Sequence, residues 1–188
     1  ADNVGGRGGA IWGNSTTKIH CVLIGNSAEQ GGAIWGNGYN DEVSIACTYA
    51  LNDAELGGAI YAQTGYGSPV VLQNTVIVFC TEGAGVQASD GVPLLISCTD
   101  IFGNAGGDWV GCLSEQGSQN ENFSADPLFY DLPGGDLTVN DTSPCLPGSG
   151  NPCLEIVGAF GSGCGGAVGA DVERQLLSWG RIKALYRE

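Results

Sequence analysis

The chain has 188 residues, enough for one domain with a continuous core, and 43% apolar residues together with 33 glycines is not a disordered composition. Its 20 acidic residues against 6 basic ones give a net charge of −14, which would repel phosphate backbones and makes nucleic acid and anionic membrane surfaces poor partners. No apolar run approaches the roughly 20 residues that span a bilayer as a helix, and no signal peptide precedes Ala1, so a mature product without a transmembrane segment is expected.

The first third of the chain is a tandem repeat. The pentapeptide GGAI[WY] occurs at Gly8 to Trp12, Gly31 to Trp35 and Gly57 to Tyr61, with spacings of 23 and 26 residues. Units that short cannot bury an apolar face alone, so each must pack on its neighbours as solenoid repeats do. With the pentapeptides in register, Ile19 aligns with Ile45, Cys21 with Cys47, Asn26 with Asn52, Glu29 with Glu55, and Trp35 with Tyr61. Period-two alternation in IHCVL and VSIAC, with frequent β-branched residues, predicts short strands separated by Gly or Asn corners. Strands one coil apart run the same way, stacking equal columns ~4.8 Å apart. The predicted fold is all-β: a right-handed parallel β-helix of about four to six coils.

The columns carry expectations. Ile11, Ile34, Ile60, Ile19 and Ile45 should fill the bore, and Asn26, Asn52 and Asn104 should stack at a corner needing left-handed backbone. Alternation then places Trp12, Trp35 and Tyr61 outside in one column, a flat stripe for stacking sugar rings or for covering by the C-terminal helix with Trp179 and Tyr186. A buried Trp35 would remove the sugar-binding reading. Cys21 and Cys47 lie within disulfide reach by Cα distance, but parallel side chains hold their Cβ atoms too far apart, so no bridge is expected.

Two degenerate units follow, VVLQNTVIVFCTEGAGV and VPLLISCTDIFGNAGGDWV, with Cys98 and Asn104 placed in the cysteine and asparagine columns. The coils are taken to occupy residues 1–113. After Cys112 the periodicity fades and prolines accumulate, as expected of a closing coil and cap over 114–164. Eight cysteines without a CxxC pattern favour an oxidising compartment over a zinc or redox site. Among those of the cap, the short CLPGSGNPC loop suggests a Cys145–Cys153 disulfide. Because Gly8 to Trp12 already belongs to a coil, an open solenoid end with an exposed bore is expected there.

Residues 165–188 comprise a Gly-rich linker and an amphipathic helical tail. Val172, Leu176, Trp179, Ile182 and Tyr186 recur at three- and four-residue steps. Residues 1–170 carry −15 and this tail +1, with Arg174, Arg181, Lys183 and Arg187 holding four of the six bases. Opposite charge and an apolar stripe point to docking, on its own solenoid or on a neighbouring subunit; a retained sorting signal is a third reading.

The GGAI motif paired with Leu23-Ile24-Gly25-Asn26 and Ile101-Phe102-Gly103-Asn104 resembles the repeats of polymorphic outer-membrane proteins and related secreted bacterial β-helix proteins, within the pectate-lyase-like superfold. CTDIFGNAGGDW, NFSADPLF and SPCLPG are similar to the final coils and cap of such proteins. The resemblance, over roughly residues 5–164, implies an extracellular or cell-surface protein.

Catalysis finds little support. A polysaccharide lyase needs a basic proton acceptor, and the body offers only Arg7, Lys18 and His20. A hydrolase needs two unlike carboxylates about 5 to 9.5 Å apart; Glu29, Glu55 and Glu82 instead form a regular ladder of corner glutamates. Calcium on that ladder is the one cofactor left open. The expected function is a non-catalytic structural subunit of a surface assembly or filament, self-associating through its open end (Ile11) and its tail (Val172, Leu176, Trp179, Arg181, Ile182, Tyr186, Arg187). The alternative is a carbohydrate-binding or adhesive module that takes a cell-surface glycan on Trp12, Trp35 and Tyr61.

Overall fold

The computed structural model describes residues 3–13, 17–39, 41–63, 65, 67–150 and 152–163. The tail residues Val172, Leu176, Trp179, Arg181, Ile182, Tyr186 and Arg187 lie outside the described residues. The strands in chain order are β1 (Val4–Arg7), β2 (Ile11–Gly13), β3 (Thr17–Ile19), β4 (Val22–Ile24), β5 (Ser27–Gln30), β6 (Ile34–Gly36), β7 (Glu42–Ile45), β8 (Thr48–Ala50), β9 (Ile60–Ala62), β10 (Val70–Gln73), β11 (Val76–Val78), β12 (Val86–Ala88), β13 (Leu94–Ser97), β14 (Asp100–Phe102), β15 (Phe129–Asp131) and β16 (Asp136–Val139). They stack as three four-stranded parallel sheets, β2-β6-β9-β12, β3-β7-β10-β13 and β4-β8-β11-β14, beside a short β1-β5 pair. This is a parallel β-solenoid of about four turns, as the repeat predicts.

The glycine pair of each pentapeptide has two separate jobs. Gly8, Gly31 and Gly57 adopt φ of 61°, 65° and 67°, a left-handed backbone that a side chain resists. Gly9, Gly32 and Gly58 touch the next coil so closely that a Cβ at Gly9 or Gly32 would run into the carbonyl oxygen of Gly32 or Gly58. The following isoleucines enter the bore: Ile34 and Ile60 are fully buried, and Ile11 packs half-buried against the same core.

Ile19 and Ile45 correct the expected alternation. Ile19 is 55% exposed, while Lys18 and Ser44 beside it are buried, continuing in register into Leu72 and Ile96. The cause is the corner: His20 and Ala46 take φ of 51° and 50°, so the alternation restarts between β3 and β4 and between β7 and β8. Counting through that corner shifts the phase by one residue, which exchanges the two faces of the strand.

The asparagine column is correct in place but not in conformation. The left-handed residues are its predecessors, Gly25, Leu51, Phe79 and Gly103. The asparagines turn inward and act as rungs: Asn26 donates from its backbone N and from Nδ2 to Asn52 Oδ1, both at 3.0 Å, and Asn52 Nδ2 donates to Leu23 O at 2.9 Å. Asn52→Ala leaves those buried groups without partners and should destabilise the fold by about 1–3 kcal/mol, measurable by urea unfolding.

The far end of the bore is closed by Leu113, fully buried in a 3-10 turn (Gly111–Leu113), and by Trp109, whose indole donates to Phe123 O at 3.2 Å. Beyond the antiparallel β15-β16 pair, residues 143–150 and 152–159 do more than cap. They return along the outside of β8 and β11, where Gly158 N donates to Asn74 O at 2.7 Å and Ala159 N to Thr48 Oγ1 at 2.9 Å. A second core results, in which Ala50, Val76 and Val78 pack with Cys145, Cys153 and Val157. Strand β11 is therefore apolar on both faces, as its sequence VIV requires.

Candidate functional site

The first turns of the solenoid gather the most unusual chemistry, outside and inside. Outside, Trp12, Trp35 and Tyr61 are register partners on β2, β6 and β9, so the predicted column exists. Its geometry is not that of an open stripe. Trp12 and Trp35 stack with centroids 5.9 Å apart and planes 9° from parallel, so each ring spends a face on its neighbour. Arg7 lies 4.9 Å over the Trp35 ring, and Trp35 Nε1 donates to Gln30 Oε1 at 3.2 Å. Trp35 is left 5% exposed and Tyr61 half-buried, while Trp12 is 65% exposed. The middle member of the column thus offers almost no ring surface to solvent.

Inside, the bore is polar where the later coils are apolar. Lys18 and Glu42 form a buried ion pair, and Ser44 Oγ hydrogen-bonds Tyr49 Oη at 2.7 Å. Loss of solvation lowers the Lys18 pKa to about 8, with the thiols of Cys47 and Cys21 acting in opposition; burial raises the Tyr49 phenol and the Cys47 thiol. Cys21 and Cys47 are both free, as expected from their parallel placement. Nothing in the residue pattern marks Lys18, Glu42 and Ser44 as interior; only the phase of the strand places them there.

The cap cysteines pair differently from expectation. The disulfide joins Cys98 to Cys153, with Cα atoms 5.7 Å apart, and Cys145 is free. Cys98 does not belong to the Cys21–Cys47 column but one residue earlier, at the left-handed corner with His20, Ala46 and Asn74, where its side chain meets the returning segment. The thiol column continues instead as Thr75 and Thr99. Cys145 turns into the second core, where its thiol sits 3.7 Å from Asp100 Oδ2 and burial raises its pKa. Beside the disulfide is a cleft of about 450 Å³, lined by Gln73, Asn74, Glu121, Leu154 and Glu155, with Asn74 Nδ2 donating to Glu155 Oε2 at 2.9 Å.

The corner glutamates Glu29, Glu55 and Glu82 are all exposed, Gln30 and Leu56 next to the first two forming a parallel bridge. Among the described residues no group of three or more His, Cys, Asp or Glu is arranged to hold a metal ion. Comparison with protein-family models, with curated proteins and with solved structures returns no match.

Proposed function

We propose that the protein is a non-catalytic structural subunit of an extracellular surface assembly, joined to its neighbours through its first coil. The observation that carries this reading is the edge formed by β2, β3 and β4. Among the described residues each pairs on one side only, and the edge presents Trp12 and Ile19 to solvent. An unpaired parallel edge with exposed apolar side chains is a template for a further strand. The opposite end of the bore is plugged by Leu113 and Trp109, which favours like-to-like pairing of first coils about a two-fold axis over an open head-to-tail filament. The Cys98–Cys153 bridge fits an oxidising compartment, in line with the resemblance to polymorphic outer-membrane protein repeats.

Sedimentation velocity over a concentration series tests the reading. The full chain should form a dimer or larger species that Ile19→Asp dissociates at least tenfold, the exposed position leaving the unfolding midpoint nearly unchanged. Removal of residues 171–188 in a separate arm asks whether the basic tail contributes. A full chain that stays monomeric at high concentration overturns the proposal.

A further inference from the structure

The column that runs Cys21, Cys47, Thr75, Thr99 has one repeated local bond. Cys21 Sγ donates to Ile19 O at 3.4 Å and Cys47 Sγ to Ile45 O at 3.3 Å, while Thr75 Oγ1 donates to Gln73 O at 2.9 Å and Thr99 Oγ1 to Ser97 O at 3.0 Å. A hydroxyl thus does the corner's structural work as well as a thiol. The two sulfurs occupy successive rungs of this column.

Their separation follows from the register. Residues 19 and 22 pair with 45 and 48, and the corners between them share the same left-handed residue, so Cys21 and Cys47 are related by one coil step of ~4.8 Å with the same side-chain direction. That is far beyond a disulfide bond of ~2.05 Å. It matches two metal–sulfur bonds of ~2.3 Å laid end to end. Cys21 is half-buried and Cys47 fully buried in the bore, so the pair has a route to solvent on one side and an apolar wall on the other. Lys18 lies on the neighbouring inward column, in register with Ser44.

We infer that Cys21 and Cys47 form a two-coordinate site for a soft monovalent cation, with Cu(I) the biological example. Thiolate sulfur is the ligand type that selects Cu(I), and two thiolates in line satisfy it without a third donor. The balance is two thiols plus Cu(I) giving a bis-thiolate complex of charge −1 and two released protons. Lys18, the buried cation of the adjacent inward column, is itself paired with Glu42.

The test uses the full chain carrying Cys112→Ser and Cys164→Ser, its Cys98–Cys153 bridge intact and its other thiols reduced, titrated anaerobically with Cu(I) against a colorimetric chelator. One equivalent should bind, with a thiolate-to-copper charge-transfer band. Cys21→Thr and Cys47→Thr, which repeat the Thr75 and Thr99 rungs, should keep the fold and weaken binding at least a hundredfold. In the wild-type chain, Cu(I) should protect Cys21 and Cys47 from alkylation, as mapped by mass spectrometry, which reads the site even if a variant fails to fold. Binding unchanged in both threonine variants, absence of that protection, or a Cys21–Cys47 disulfide in the isolated protein overturns the inference.

Discussion

Asp100→Asn is expected to make the folded protein more stable than the wild type above pH 7, by an amount on the order of 4 kcal/mol, and to leave stability nearly unchanged at pH 4. Asp100 lies on the outer side of β14, in register with Val76 and so with Thr48, in a column that the returning segment covers completely. Its carboxyl is pushed from 3.8 up to about 7, first by loss of solvation, and further by the negative charges of Asp108 and Asp126. Ala125 N donates to Oδ1 at 3.0 Å and Cys145 Sγ to Oδ2 at 3.7 Å, too little to offset burial.

The sign follows from proton counts. Between pH 3.8 and about 7 the native state holds a proton on Asp100 that the unfolded chain has released, so stability falls as pH rises through this window. Every tenfold change in proton affinity corresponds to ~1.4 kcal/mol, and the group is almost wholly out of water, so little of this is screened. Asparagine keeps the acceptor for Ala125 and carries no charge. Urea unfolding of both proteins at pH 4, 6 and 8 checks this: curves that differ by the same amount at all three values would contradict it. Hydrogen exchange at pH 8 should find residues 143–150 and 152–159 opening first in the wild type, since they cover the ionised group.

Reduction of Cys98–Cys153, or Cys98→Ser with Cys153→Ser, should cost about 4 kcal/mol by the chain-entropy estimate for a 55-residue separation. The bridge ties the solenoid corner to the segment that forms the second core, so its loss should expose the outer face of β11 and widen the cleft at Asn74 and Glu155. Cys145→Ser should leave the bridge in place. Peptide mapping under non-reducing conditions separates this from a Cys145–Cys153 pairing directly: a peptide linking residues 145 and 153 would contradict the Cys98–Cys153 connectivity. Guanidinium unfolding with and without reductant then measures the stabilisation.

The solenoid itself was legible because its cause is local and repeated. Glycine pairs with one left-handed member and one close-approach member leave the same mark at Gly8-Gly9, Gly31-Gly32 and Gly57-Gly58, and the isoleucine two residues on must then enter the bore. The outer aromatic column was legible for the same reason, by alternation from Ile11, Ile34 and Ile60. Whether its faces were open was not, because that depends on ring orientation and on Arg7 and Gln30 arriving from other strands.

Parallel stacking, the inward isoleucines of the pentapeptides and the asparagine rungs are all written in the order of the residues, since each follows from short-range steric rules repeated every coil. That Lys18, Glu42 and Ser44 occupy the bore in place of Ile19 and Ile45 emerges only in the folded chain, because one left-handed corner residue resets the alternation. The same holds for the bonding of Cys153 to Cys98 rather than Cys145, and for the covering of β11 on both sides, because both depend on where a non-repeating segment of some fifty residues folds back. Repetition encodes neighbours one coil apart; nothing in it specifies a contact made only once.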